Sequence, residues 1–131
     1  DVKLKYLDHY NRARQKAASF YDQELSGLTH IRTPGKNPDS THIYHQYTLV
    51  LDEEVSREDL KKYLKDRHIP TMVYYPVPMH LQEAFNHGQY TEGDFPVSEK
   101  LSRSVLSLPM HTELDQEQLH YITETLKQYF Q

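Results

Sequence analysis

The sequence predicts an α+β fold, a small sheet flanked by helices, on the strength of three patterns. Residues 4–28 and 115–130 show the apolar period of amphipathic helices. Between them lies a β-branched and aromatic run from Ile43 to Leu51, and a shorter run of the same kind spans Thr71 to Tyr75. A chain of 131 residues is long enough to bury one core, so we expect a single domain over residues 1–131.

The first element is a long helix. Apolar side chains recur every three or four positions over residues 4–28, which exceeds the length of an average globular helix. The chain also begins with Asp1 rather than methionine. We therefore expect a C-terminal fragment of a larger protein, with residues 1–28 as a long connecting helix and residues 42–131 as a small domain.

A loop and a crossover unit follow. Residues 33–40 are dense in proline, glycine and asparagine and predict a loop. Ser56 with Asp59 three positions later indicates the start of a helix that ends near Arg67, before the predicted strand Thr71–Tyr75. On the strand that precedes this helix, alternation assigns to the core face Ile43, His45, Tyr47, Leu49 and Leu51.

The last third of the chain predicts short elements and a final helix. Residues 81–85 favour one or two helical turns before a polar segment that begins at Asn86. Asp94 is placed to cap a helix, and residues 106–109 form a short extended piece. Asp115 with Gln118 resembles a capping box at the start of the last helix. The spacing of four predicts one apolar face for Val97, Leu101 and Val105.

Composition excludes several classes of function. A net charge of −4 without a basic stripe argues against nucleic acid as a partner. No apolar run is long enough for a membrane span, and no signal-peptide pattern is present, so the cytoplasm is the default location. The absence of cysteine removes disulfides and thiolate metal sites.

Nine histidines raise the question of a metal site. The closest pair, His42 and His45, would point to opposite faces of a strand, and the others show no ligand spacing. Four glycines leave no phosphate-cradling loop, and no nucleophile elbow is present. We therefore predict no metal site and no catalytic residue within the chain.

The stretch from Tyr75 to Gln82 is the most informative segment. Pro76 and Pro78 fix their own φ angles and favour extended geometry in the residues before them. A turn stiffened in this way can hold Tyr75 and His80 in a fixed relation. Taken alone, it is more typical of a structural loop with a surface histidine.

The order of these motifs resembles one family. His42–Tyr47, the segment Tyr75–Gln82, Gly93–Pro96 and Leu106–Met110, set between a long first helix and a final helix, resemble the C-terminal small domain of DegT/DnrJ/StrS sugar aminotransferases. These are fold-type-I enzymes that use pyridoxal phosphate (PLP) to move an amino group, usually from glutamate, onto a ketone of a nucleotide-linked sugar. The resemblance implies that activity, in amino-sugar or surface-polysaccharide biosynthesis, for the full-length protein.

The resemblance also implies a division of labour. In the family, a lysine of the N-terminal domain binds the cofactor, and no matching lysine motif occurs in this chain. We expect this chain to bind no cofactor and to be inactive alone. Its implied partners are its own N-terminal domain, a nucleotide-sugar substrate and, in the full-length form, a second copy in a homodimer. For substrate contact the resemblance favours Tyr75 and His80, with Tyr44 and His45 as weaker candidates.

Three alternatives stay open. The full-length protein could be a PLP-dependent sugar dehydratase of the same family, which differs in the cofactor lysine. The chain could instead be a non-catalytic binding or regulatory module of α+β type. It could also be a structural interaction domain that pairs through its first helix.

Overall fold

A computed structural model describes residues 2–85 and 87–131 of the chain, so the expectations that fall on Asp1 and Asn86 lie outside the described residues. Within those ranges a small sheet and four α-helices confirm the predicted α+β class. In chain order the elements are α1 (Leu7–Leu25), β1 (Ile31–Arg32), β2 (Tyr47–Leu51), α2 (Arg57–Lys65), α3 (Pro96–Ser104), β3 (Val105–Leu108) and α4 (Gln116–Tyr129), with 3-10 turns at Leu4–Tyr6 and Met79–Leu81.

The described strands form one antiparallel sheet in the order β1, β2, β3. Tyr47 lies opposite Leu108 and Val50 opposite Val105, while β1 adds two residues to the other edge of β2. Alternation along β2 buries Tyr47, Leu49 and Leu51 on one face, as the sequence predicts. β1 was not predicted, because two residues carry no period.

The predicted start of this strand is wrong. Regular pairing begins at Tyr47, and Tyr44 has a φ of +49°, which turns the backbone away from the extended region. The alternation therefore does not reach back to Ile43 and His45, which are exposed. Tyr44 is buried in their place.

The predicted strand Thr71–Tyr75 is reduced to a single bridge. Met72 and Ser107 exchange two backbone hydrogen bonds of 3.1 and 2.7 Å on the edge of β3 away from β2. The crossover from β2 through α2 thus ends beyond β3 rather than beside β2. Pro70 and Pro76 flank the bridge and lack the N–H groups that a longer ladder needs.

Helices α1 and α4 pack together on the sheet. The apolar face of α4 is buried as predicted, with Leu126 fully enclosed. The second half of α1 contributes to the same core, whereas Leu7 at its start is 45% exposed and Leu4, in the 3-10 turn before it, is 67% exposed. No helix among the described residues combines the length and apolarity that a membrane crossing requires. The core of these helices and the sheet includes Ala17, Ala18, Tyr21, Leu25, Tyr47, Leu49, Leu60, Leu64, Leu106, Leu119, Ile122 and Leu126.

The N-caps predicted for α2 and α4 are both present. The side chain of Ser56 accepts a hydrogen bond from the backbone N–H of Asp59 at the start of α2. At α4, Gln118 N–H donates to Asp115 at 2.8 Å and the Gln118 side chain accepts from Asp115 N–H, which confirms the capping box.

Helix α3 differs from its prediction in two ways. Its N-cap is Phe95, while the Asp94 carboxylate accepts from the Thr91 backbone N–H at 2.7 Å. The predicted apolar face is also wrong, since Val97 is 72% and Leu101 40% exposed.

The side chains that α3 does bury are polar. Glu99 is 3% exposed and Ser102 7%, while Val105 already belongs to β3. The hydrogen bonds available to Glu99 decide which face turns inward, and a count of apolar residues cannot detect them.

Candidate functional site

The stretch from Tyr75 to Gln82, called the proline segment below, follows the Met72 bridge at the edge of the sheet. Pro78, with φ of −59°, begins the 3-10 turn, which therefore forms at Met79–Leu81 and not at residues 81–85 as predicted. Gln82 Nε2 donates to the Val77 carbonyl at 2.9 Å and closes the turn on itself.

Tyr75 projects from the start of this segment. Its side chain is among the most exposed aromatic groups of the chain, at 68%, and its ring lies edge-on to that of Tyr74 at 5.8 Å between centroids. A shallow groove of about 460 Å³ adjoins it. An exposed ring above an open groove can stack on a sugar or donate its hydroxyl to one. The groove is lined by Tyr75, Pro76, Val77, Leu81, Gln82 and Glu83.

His80 points the other way, toward α3. Its side chain is 8% exposed and its Nε2 lies 3.0 Å from Glu99 Oε1. The ring also packs against Phe95 at 4.8 Å between centroids. The imidazole therefore ties the proline segment to the start of α3, and only a small part of it faces solvent.

Glu99 is the functional candidate that the sequence analysis missed. Its carboxylate accepts hydrogen bonds from the backbone N–H groups of Gly93 and Phe95 as well as from His80. Burial opposes ionisation of this carboxyl, but the two backbone donors and the imidazole outweigh burial and hold the pKa of Glu99 below its usual range. The sequence did contain one signal for this role. Glu99 comes three positions after Pro96, where its carboxylate can reach the free backbone N–H groups at the start of the helix.

Tyr44 and His45 lie elsewhere. The Tyr44 ring is buried between His42 at 4.3 Å and Tyr47 at 6.3 Å, and His45 is exposed. Both precede the start of β2, at the end of the sheet where Leu108 lies.

Tyr75 and His80 lie toward the opposite end of the sheet. From Met72 the chain runs in the direction of β2, and His80 packs on α3, which enters the sheet at Val105. The structure therefore joins His80 to Glu99 and does not bring Tyr75 or His80 together with the pair at positions 44 and 45.

Exposed apolar side chains concentrate around the proline segment and α3. Patches of this kind commonly mark interaction surfaces. The side chains concerned are Met72, Tyr74, Tyr75, Val77, Met79, Phe85, Tyr90, Phe95, Val97 and Leu101.

The lysines do not fit covalent attachment of a carbonyl cofactor. Such a lysine needs a lowered pKa, which burial or a neighbouring cation provides. Here the ion pair with Asp22 raises the pKa of Lys36, and those with Glu24 and Glu124 raise the pKa of Lys127. The other lysines are exposed, apart from Lys61, which is half-buried and paired with Glu58. Over residues 2–85 and 87–131, no three His, Cys, Asp or Glu side chains are grouped to hold a metal ion.

The fold places the chain among the aminotransferases. It is similar to the structure of S. venezuelae DesV in complex with a ketimine intermediate, with a TM-score of 0.92 and 32% identity. That similarity covers 99% of this chain and 34% of the DesV chain.

The family follows from the sequence match. The model of the DegT/DnrJ/EryC1/StrS aminotransferase family matches residues 1–127, and the chain belongs to this family, which confirms the resemblance seen in its motifs. A Geobacillus stearothermophilus "Pleiotropic regulatory protein" is 37% identical over 98% of this chain. An Aneurinibacillus thermoaerophilus dTDP-3-amino-3,6-dideoxy-alpha-D-galactopyranose transaminase is 30% identical over 98% of it. The chain spans about a third, 34%, of the length of each of these relatives.

Proposed function

We propose that this chain is the small domain of a PLP-dependent aminotransferase that moves an amino group, from a glutamate-type donor, onto the ketone of a nucleotide-linked sugar. The observation that carries the proposal is the family match over residues 1–127. The relatives support the substrate class, since one is a transaminase for a dTDP-linked amino sugar and another a Bacillus subtilis spore coat polysaccharide biosynthesis protein. The pathway we propose is accordingly amino-sugar or surface-polysaccharide biosynthesis in the cytoplasm.

We propose further that the cofactor is held by residues outside this chain. When bound there, PLP supplies the electron sink for amino transfer. The raised pKa values of Lys36 and Lys127 and the exposure of most other lysines support this division, because a protonated amine is not a nucleophile. On this proposal residues 1–131 form one domain at the C-terminal end of the enzyme, with residues 1–28 as the connecting segment that contains α1 and residues 42–131 as the small domain.

The chain's own part is to form one wall of the substrate site. Tyr75 offers an exposed ring above a groove, and His80 is held rigidly five residues later. We assign substrate contact to these two residues, and Tyr44 and His45 stay weaker predictions. The exposed apolar side chains of residues 72–101 are suited to contact the rest of the polypeptide or a second copy in a homodimer.

The test is an assay of the full-length protein with PLP, glutamate and a panel of nucleotide-linked keto-sugars. The proposal predicts 2-oxoglutarate and an amino sugar in equal amounts. The 131-residue chain alone should give neither these products nor a borohydride-reducible adduct with PLP. Transfer by the chain alone, or no transfer by the full-length protein with any member of the panel, would contradict the proposal.

The same assay separates the alternatives. A family dehydratase would consume a sugar substrate without forming an amine. A non-catalytic regulatory module is favoured by one observation, the description of the Geobacillus stearothermophilus relative as a regulatory protein. That function predicts no turnover and no cofactor lysine in the full-length sequence.

Replacement of His80 tests the proposed substrate wall. In the full-length enzyme His80→Ala should raise the KM for the nucleotide sugar about tenfold, the value of one hydrogen bond, because it removes both the imidazole and its tie to Glu99. His87→Ala is the control, since His87 is an exposed histidine of the following loop. Unchanged kinetics in His80→Ala would remove this residue from the site.

A further inference from the structure

The carboxylate of Glu99 is a shared acceptor for three donors. Its Oε1 lies 3.0 Å from His80 Nε2, 2.9 Å from the Gly93 nitrogen and 3.3 Å from the Phe95 nitrogen. Its Oε2 lies 3.0 Å from the same Gly93 nitrogen. The Glu99 side chain is 4% exposed, so these contacts satisfy it without help from solvent.

This arrangement determines which nitrogen of His80 carries a proton. Backbone N–H groups can only donate, and two of them point at the same oxygen as Nε2, which leaves no room for a proton on Oε1. The carboxylate is therefore the acceptor and His80 Nε2–H the donor. In the neutral imidazole the second nitrogen, Nδ1, then carries a lone pair.

Nδ1 is the atom of His80 that stays available. No hydrogen bond to Nδ1 occurs among the described residues. Nδ1 is also not one of the fully buried side-chain atoms that lack a partner, so it is not sealed from solvent. With 8% of the side chain exposed, the opening around His80 suits a small polar group.

We propose that Glu99 is a positioning residue of the substrate site, which fixes His80 in the Nε2–H tautomer so that Nδ1 accepts a hydrogen bond from a hydroxyl group of the nucleotide sugar. The proposal rests on the proposed function and deepens it. It assigns His80 the role of acceptor from a sugar hydroxyl through one nitrogen, Nδ1, which the sequence alone does not indicate. It also gives a reason for the burial of an acidic side chain on α3 in place of Val97 and Leu101.

The tautomer is measured in the unliganded chain by NMR of the imidazole nitrogens. In the wild type, with the imidazole of His80 neutral, the spectrum should show a protonated Nε2 and an unprotonated Nδ1. Glu99→Ala should turn this single state into a mixture, and Glu99→Gln should restore it, because the amide oxygen still accepts from Nε2–H. Glu92→Gln, a change of a 76% exposed carboxylate in the loop before α3, should leave it unaltered. An Nδ1–H tautomer in the wild type, or an unchanged tautomer in Glu99→Ala, overturns the proposal.

A second variant serves if Glu99→Ala fails to fold. Glu99→Asp keeps the charge but shortens the side chain by one CH₂, which draws the carboxylate away from His80 Nε2, so it should also give a mixture of tautomers. A single Nε2–H state in Glu99→Asp also overturns the proposal.

Kinetics of the full-length holoenzyme connect the tautomer to the substrate. Glu99→Ala should raise the KM for the nucleotide sugar about tenfold with kcat within about twofold, and Glu99→Gln should recover most of that loss. A changed tautomer with an unchanged KM would show a structural role only and would refute positioning. Absence of all amino transfer in the wild type would instead refute the proposed function, while the NMR result still decides whether Glu99 sets the tautomer.

Discussion

Removal of one buried hydroxyl tests how the loop before β2 is held. Tyr47 is fully buried and donates its hydroxyl to Asp22 Oδ1 at 2.6 Å, while Lys36 Nζ lies 2.6 Å from Asp22 Oδ2. Asp22 on α1 thus joins the first strand residue of β2 to the loop over residues 33–40. Tyr47→Phe keeps the ring but removes the hydroxyl, so the mostly buried carboxylate of Asp22 loses the donor at 2.6 Å.

The expected loss is about 1.5–3 kcal/mol, the range for hydrogen bonds to charged groups. An unfolding entropy of about 2.1 cal/mol/K per residue over 131 residues corresponds to about 3.6 °C per kcal/mol. Tyr47→Phe should therefore lower the Tm by about 5–11 °C.

Urea unfolding followed by circular dichroism measures the free energy, and calorimetry measures the Tm. Tyr121→Phe is the matched control, because its hydroxyl also donates, to the Arg67 carbonyl at 3.1 Å, but its side chain is 52% exposed. The control should change the free energy of unfolding by less than about 0.5 kcal/mol. Equal losses in the two variants, or a Tyr47→Phe loss below about 0.5 kcal/mol, would refute the reasoning.

Three further predictions concern stability. Burial raises the pKa of Tyr21, and burial with the Asp22 hydrogen bond raises that of Tyr47, both from an ordinary value of 10.0. The contribution of these raised pKa values to the free energy of unfolding is fully present below pH 10 and is lost above it, because only the unfolded chain then releases these protons. Urea denaturation at pH 11 should therefore give a lower free energy of unfolding than at pH 9, by up to roughly 1.4 kcal/mol per pH unit for each tyrosine. Equal free energies at the two pH values would contradict this. Leu126→Ala should cost about 2–5 kcal/mol in urea unfolding because Leu126 is fully enclosed, whereas Val97→Ala, at a 72% exposed position, should cost less than about 0.5; similar losses would be inconsistent with the core described above. Asp115→Ala should cost about 1 kcal/mol through loss of the capping box, and a neutral result in the same assay would show that the box adds nothing to α4.

Local patterns predicted the elements that local interactions determine. The capping box at Asp115 and the apolar period after it depend on residues three and four apart, so α4 was predicted with its buried face. The same holds for α2 and its Ser56 cap.

The errors arose where distant residues decide. Thr71–Tyr75 has strand-forming residues, but only Met72 finds a partner on β3. The inward face of α3 depends on His80, nineteen residues from Glu99 in sequence. The segment before Tyr47, where the alternation stops, is bonded through its His42 and Ile43 carbonyls to side chains of α1.

The candidate site was predicted in part. The stiff turn of residues 75–82 follows from Pro76 and Pro78, which the sequence displays directly, whereas the exposure of Tyr75 is seen only in the structure. The partner of His80 is supplied by another helix, and no spacing within residues 75–82 indicates it. Whether Tyr75 and His80 touch a substrate stays a prediction.

A crystal structure of the full-length protein with PLP and a bound nucleotide sugar would show whether this chain forms one wall of a nucleotide-sugar site, as proposed above. We expect the sugar to lie against the ring of Tyr75, with one hydroxyl within hydrogen-bond distance of His80 Nδ1. A nucleotide sugar bound away from residues 75–82 would overturn the proposal.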